Sequence, residues 1–400
     1  MVIKSKVLCA IVRKLKVLPN YFLEAKEGIK FDCVKNGKNT SRRVLVFTEH
    51  INATYYISFH FALASLAEKG LITFASLSQD SVREQLRESV NSFVSSIVRE
   101  FQPDIVVFTR YALPFGPELL LAFSELGVST IYHLDDNLLD IPSSLGLDIN
   151  SHHGSSAVVN AREKQFLAAD KVYASTPVLA DTLASKYEVA RSFVGIYSPY
   201  FDFLINKAIP RASRSSITIG YMGSKGHKQD LQLVVPALDL ILSNNPNVRF
   251  ETFGTILMPE QLKRYDRQIA EHSVNKNYQQ FLQTLFELGW DIGLAPLEDN
   301  LFNLCKAPTK FMEYTACEIP TIASNLPVYS QVIGNSNGLL ANDGEWLDLI
   351  IRYIESEALR FECLEKAKGY CEKNYPLYIL ERQLLDLFSS VTDDNSRISE

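Results

Sequence analysis

The 400-residue chain has no run of 18 apolar residues, so no membrane-spanning helix is expected. Its six cysteines, Cys9, Cys33, Cys305, Cys317, Cys363 and Cys371, form no CxxC pair and no cluster with metal-ligand spacing. That excludes a zinc module and favours reduced thiols in a cytoplasmic setting. No DxD pair and no second ligand cluster accompany the acids near position 135, so no metal site is expected. Basic grooves interleaved with aromatics are missing from a chain of net charge −6, which argues against nucleic acid as a partner. No glycine-rich loop occurs between Glu49 and Gly70, and no enzymic nucleophile stands out.

What is present is an ordinary globular composition, 46% hydrophobic and 22% charged, enough for sizeable cores in two or three domains. The charge is uneven. Residues 1–43 hold eleven Lys and Arg against Glu24, Glu27 and Asp32, which leaves the rest of the chain strongly acidic. Within that arm Val7, Leu8, Ile11, Val12, Leu15 and Leu18 alternate with Lys4, Lys6, Arg13, Lys14 and Lys16 in an amphipathic pattern. Residues 1–40 therefore suit either an anionic membrane surface or a basic extension packed on the body. The apolar run Val7–Val12 is too short for a signal peptide.

From residue 42 strands alternate with helices. Strands are expected at 44–50, 72–77, 104–110, 128–134 and 171–175, with helices between them, one of them N-capped by Asp80 and running to about Phe101. A polar linker at 207–216 precedes a second series: strands at 217–223, 248–254, 291–297, 321–324 and 338–341, and helices at 229–244, 259–270, 278–288, 309–318 and 344–374. A last helix opens at Pro376. Alternation of this kind means βαβ units and parallel sheets. The domains expected are a basic extension (1–41), a Rossmann-like domain (42–206), a second Rossmann-like domain (207–375) and a terminal helix with a polar tail (376–400).

Three segments carry chemistry. The first is WDIGLAPLEDNLFNLCKAPTKFMEYTACEIPTIASN, 290–325, which reads strand, loop, helix, strand. Lys306, Lys310 and Glu313 fall at i, i+4 and i+7, one face of a helix if all three are helical. Two ammonium groups beside a helix N-terminus suit a diphosphate. A carboxylate one turn further in can accept from a ribose diol. The same spacing also suits a solvated face with a Lys310–Glu313 pair. The second segment, GYMGSKGHKQDL at 220–231, leaves a strand and enters a helix. There Gly223 permits a tight turn, and Ser224, Lys225 and His227 offer polar groups, or Asp230 simply caps a surface turn. The third, IYHLDDNLLDIP at 131–142, places His133, Asp135 and Asp136 at the carboxyl end of a strand. They suit either the reacting centre or the anchoring of the loop that follows.

KAPTKFMEYTACEIPTIAS resembles the signature segment of the retaining glycosyltransferases of family-four type, in a branch reading K-x-P-x-K-x-x-E-Y. The order G-S-x-x-H-x-x-D-L resembles the first loop of that family's second domain. The resemblance implies an α/β fold of GT-B architecture: two Rossmann-like domains, a central cleft and a C-terminal crossing helix. It implies transfer of a sugar from a nucleotide-diphosphate sugar to a hydroxyl of a glycan or lipid-linked acceptor, with retention at the anomeric carbon and no cofactor. Glu313 would hold the ribose. Lys306 and Lys310 would hold the diphosphate with Gly223, Ser224, Lys225 and His227, beside Tyr314. His133, Asp135 and Asp136 would stand near the reacting sugar. The chain departs from the family where Cys305 replaces the usual first glutamate, and where Ser224 and His227 replace the usual Arg and Lys. Two other readings remain open: a non-catalytic nucleotide-sugar or glycan-binding subunit, and a nucleotide-sugar epimerase of the same architecture.

Overall fold

The computed structural model describes residues 28–38, 42–187, 192–194, 216–273 and 278–397. The amphipathic basic arm at 1–27 and nearly all of the linker at 207–216 lie outside the described residues. The chain divides into two compact units. One takes the chain as far as Leu139, the segment beginning at Ser155, and the stretch from Glu381. The other takes Asp140–Gly154 and the second strand–helix series as far as Leu380.

The first unit is built on a seven-stranded sheet: β1 (Cys33–Lys35), β2 (Arg42–Thr48), β3 (Ile72–Ser78), β4 (Ile105–Thr109), β5 (Ser129–Leu134), β6 (Lys171–Ala174) and β7 (Ser192–Val194). Their spatial order is β1-β3-β2-β4-β5-β6-β7. All neighbours are parallel except β1, an antiparallel edge strand that sequence patterning does not reveal. The runs VLVF and IVVF are buried throughout, as parallel strands covered on both faces must be.

The second unit carries six parallel strands: β8 (Ile217–Gly223), β9 (Val248–Gly254), β10 (Ile269–His272), β11 (Ile292–Ala295), β12 (Thr321–Ser324) and β13 (Leu339–Ala341). They are ordered β10-β9-β8-β11-β12-β13. Sheet and helices share one core, with Ile219, Phe250, Ile292 and Leu294 at its centre. Trp290 is wholly buried and lies over Gly220, where a Cβ would stand 1.8 Å from the indole. Its Nε1 donates to Glu251 Oε2 at 3.0 Å.

Two expectations are corrected. Segment 259–270 is not a helix. A single turn at Glu260–Leu262 leads into the edge strand β10, which pairs with β9. Gln268 anchors its start, donating to the carbonyls of Leu242, Asn245 and Val248 at 2.9–3.2 Å. Asp80 is not an N-cap. Ser78 caps Gln79–Gln85, and after a break Ser89 caps Val90–Glu100.

In each sheet the first strand of the series lies inside the sheet, and the chain continues first to one side of it, then to the other. The order therefore reverses between β2 and β4 in the first unit and between β8 and β11 in the second. At such a switch point the loops leaving the two strands diverge and open a crevice at their carboxyl ends, where ligands bind in open α/β sheets.

Candidate functional site

Segments 220–231 and 290–325 both leave strands at the β8/β11 switch point. Gly223 ends β8 opposite Gly254. The constrained glycine is Gly254, with φ +125° and room for no Cβ, which would stand 2.2 Å from the Gly223 carbonyl oxygen. That carbonyl accepts from the backbone N–H groups of Thr255 and Ile256, both at 3.1 Å. The tightness expected at Gly223 thus resides in its neighbour on β9. Ser224 and Lys225 are exposed on the turn that follows. The Lys225 N–H donates to Thr255 Oγ1 at 3.2 Å.

The loop after β11 is folded by Asn300, which caps a short helix, Leu301–Leu304. Lys306 lies beyond that helix and before the next, Thr309–Ala316, so helical phase does not align it with Lys310. Its Nζ is held by Asn303 Oδ1 at 2.7 Å and lies 4.9 Å from the centre of the Phe302 ring. Cys305 points inward and is wholly buried.

Lys310 and Glu313 do share the inner face of the Thr309–Ala316 helix. Both are buried, 9% and 7% exposed, which removes the reading of a solvated surface pair. Lys310 Nζ lies 5.7 Å from the centre of the Tyr221 ring. Glu313 Oε1 accepts from the Tyr278 hydroxyl at 2.8 Å. Burial pushes the Glu313 carboxyl up to about 7, against the lowering pull of Tyr278 and Lys310. Tyr278 is fixed in turn by stacking on Phe281, which stacks on Phe253. Tyr314 lies behind the site. Its hydroxyl donates to the Leu294 carbonyl and accepts from the Met222 N–H, both at 3.0 Å, tying β8 to β11.

His227 and Asp230 bind the two loops together. Asp230 Oδ2 lies 2.7 Å from His227 Nδ1. Its Oδ1 accepts from the Glu298 N–H at 2.8 Å and from Asn303 Nδ2 at 3.1 Å. Asp230 is buried, which raises its carboxyl, but the hydrogen bond from His227 and the charges nearby outweigh this and hold it below the usual range. Burial and the ammonium groups of Lys310 and Lys306 push the His227 imidazole down to about 3. Tyr278 and Asn303 carry no motif, and Asp230 reads only as a cap. Their partners lie tens of residues away, and no local spacing signals that.

In the first unit, His133, Asp135 and Asp136 stand at the end of β5. His133 is 1% exposed and faces Phe59 and Tyr173. Burial pushes its imidazole down to about 4. Its Nδ1 lies 2.8 Å from Thr109 Oγ1, and its buried Nε2 has no hydrogen-bond partner among the described residues. Arg110, at the end of β4 with φ +54°, forks across both acids, Nε to Asp135 and Nη2 to Asp136. Thr54 Oγ1 donates to Asp135 at 2.8 Å. Burial would raise the Asp135 carboxyl, but Arg110 holds it below the usual range. At the ends of β2 and β4 a fully buried Arg162 reaches Glu49 at 3.3 Å and the Arg110 carbonyl at 3.4 Å. Arg110, Glu49 and Arg162 are the charges sequence reading misses here. The position of Arg110 at a strand end is the one signal that could have found it.

No protein-family model matches the sequence, and no curated protein matches it. Solved structures do. A glycosyltransferase from Rickettsia africae superposes with a TM-score of 0.62 at 14% identity, covering 88% of this chain and 99% of that one. HepE from Anabaena, in complex with UDP and glucose, gives 0.60 at 14% identity over 86% and 99%. TarM of S. aureus, in complex with UDP, gives 0.53 at 11% identity and covers 74% of this chain, which spans only 58% of the TarM chain. Likeness of this kind establishes the fold alone: two Rossmann-like α/β units in the GT-B architecture.

Proposed function

We propose that the chain is a glycosyltransferase that moves a sugar from a nucleotide-diphosphate sugar to a hydroxyl of a glycan or lipid-linked glycan, with retention of anomeric configuration. One observation carries the reading. At the β8/β11 switch point a buried carboxylate, Glu313, shares a helix face with Lys310, and His227 and Lys306 are drawn to the same crevice by Asp230 and Asn303. Glu313 accepts from the ribose diol. Lys306, Lys310 and His227 meet the diphosphate, whose charge grows as it leaves, and a preorganised set of cations lowers the barrier there. Charge stabilisation is thus assigned to side chains, without a metal. The bond from the anomeric carbon to the diphosphate oxygen breaks, the acceptor oxygen bonds to that carbon on the same face, and the acceptor's proton passes to the leaving diphosphate. Arg110, Asp135 and Asp136 are the candidates for orienting the acceptor. His133 lies too deep to touch it, so its place is to pack and orient the end of β5.

A nucleotide-sugar-binding subunit without turnover is the second reading, favoured by the burial of Cys305 where a glutamate is usual. Calorimetry with a panel of nucleotide sugars, on the native chain and on Glu313→Ala, tests the donor site. One donor should bind the native chain, and the substitution should weaken it tenfold or more, about 1.4 kcal/mol. A folded native chain that binds none of the panel overturns both readings. Binding without transfer or hydrolysis in the presence of glycan acceptors leaves the subunit reading.

A further inference from the structure

We propose that Asp230 is a positioning residue that fixes the tautomer of His227, so that the imidazole engages a diphosphate only as imidazolium and donor binding takes up a proton. The inference rests on the donor site proposed above and deepens it.

Asp230 is buried, and each of its other partners is a donor: the Glu298 N–H at 2.8 Å and the Asn303 amide N–H at 3.1 Å. A carboxylate so placed is ionised and accepts only. The contact of 2.7 Å to His227 therefore puts a proton on Nδ1. In the neutral imidazole the second nitrogen, Nε2, then carries a lone pair, which repels a phosphate oxygen. Only the imidazolium donates from both nitrogens. An arginine or lysine at this place would be charged at any working pH. The histidine must acquire its charge.

The groups that face it set when it does so. Its own turn carries Lys225, Lys228 and Asp230. The loop after β11 contributes Lys306 and the backbone of Glu298, and the Thr309–Ala316 helix contributes Lys310. The Tyr221 hydroxyl lies against the His227 carbonyl at 3.5 Å, and burial keeps that phenol neutral. With no anion bound, burial and the two ammonium groups keep the imidazole neutral. Two bound phosphates reverse the field, and the proton is taken up. Asn303 extends the device, because the side chain that donates to Asp230 also holds Lys306 Nζ at 2.7 Å. One carboxylate thus positions two of the three cationic groups assigned to the diphosphate.

The test titrates the full chain with UDP-glucose and with whichever nucleotide sugar of the panel binds best. Both phosphates of such a donor are diesters and do not titrate near neutrality. Calorimetry at pH 7.5 in buffers of different ionisation enthalpy counts the protons exchanged. His227→Gln is the comparison, since its amide donates without charge. Exchange at Glu313 is common to both proteins, so their difference isolates His227. The native chain is expected to take up about one proton more than His227→Gln, and its affinity to fall by up to about tenfold per pH unit above neutrality, with a flatter profile in the variant. Asp230→Asn offers an amide N–H to Nδ1, moves the imidazole proton to Nε2, and should abolish the extra uptake while binding persists. If Asp230→Asn does not fold, His227→Gln decides. Equal proton uptake by native and His227→Gln, or undiminished uptake by Asp230→Asn, overturns this inference alone. Failure of every nucleotide sugar to bind at any pH overturns it together with the donor site.

Discussion

Glu313→Gln should make the protein more stable and less able to bind its donor. The carboxyl is buried on the inner face of its helix, with the Tyr278 hydroxyl as its hydrogen-bond donor. Its ordinary value is 4.5, and burial pushes it up to about 7. Because the folded-state value is raised, folding favours the protonated acid. Below about pH 4.5 both folded and unfolded forms are protonated and the group costs nothing. Between 4.5 and 7 the unfolded chain ionises first and stability falls, and above 7 the full penalty persists. The difference corresponds to about 3 kcal/mol. Glutamine keeps the shape, and its carbonyl still accepts from Tyr278, but it carries no charge to desolvate. The variant should exceed the native chain by less than about 1 kcal/mol at pH 5 and by about 2–3 kcal/mol at pH 8. For a unit of this size that is on the order of 5–10 °C in Tm. Urea denaturation at pH 5, 6, 7 and 8 on both proteins measures it. A stability difference that does not change with pH would refute the reasoning, since it would mean the carboxyl is not paying a burial cost. Donor affinity should fall in the same variant, because an amide offers a ribose diol one acceptor where a carboxylate offers two.

Two further outcomes follow from the packing. Gly220→Ala puts a methyl group 1.8 Å from the Trp290 ring, and the indole cannot retreat without giving up Glu251; a loss of at least about 3 kcal/mol is expected, read as a fall in Tm. Arg162→Met strands the buried Glu49 carboxylate and should cost about 3–5 kcal/mol, much of it restored by adding Glu49→Gln; a double variant no better than the single one would remove the pairing argument.

The parallel strands were the most legible part of the sequence, because burial on both faces leaves short apolar runs that stop at turn residues. β8, β9 and β12 fall at the residues the pattern gives. β10 was illegible for the converse reason. IAEH has no apolar run, and what makes it a strand is the edge of β9 and the anchor at Gln268, both tertiary. In the site, Lys310 and Glu313 could be read because a helix places them in phase. Lys306 could be read only by proximity in sequence, since it arrives by way of Asn303 and not by helical phase. Tyr278 could not be read at all, and Asp230 could be read only as a cap. Their contacts span 35 and 68 residues, and only the folded sheet brings the loops together.

The final helix, Leu377–Arg397, has a consequence for the order in which the protein can be made. From Glu381 on, it belongs to the first unit, where Glu381 pairs with Lys69 and where Leu384, Leu387, Phe388 and Val391 are buried. The strands of that unit leave the ribosome before the second unit, yet the helix that closes its core is translated after it. During synthesis of the second unit the first therefore carries an uncovered apolar strip. A fragment cut after β7 would keep that strip permanently, whereas most of the second unit lies in one uninterrupted stretch. The unit made earlier thus depends on a helix translated after its neighbour to finish folding.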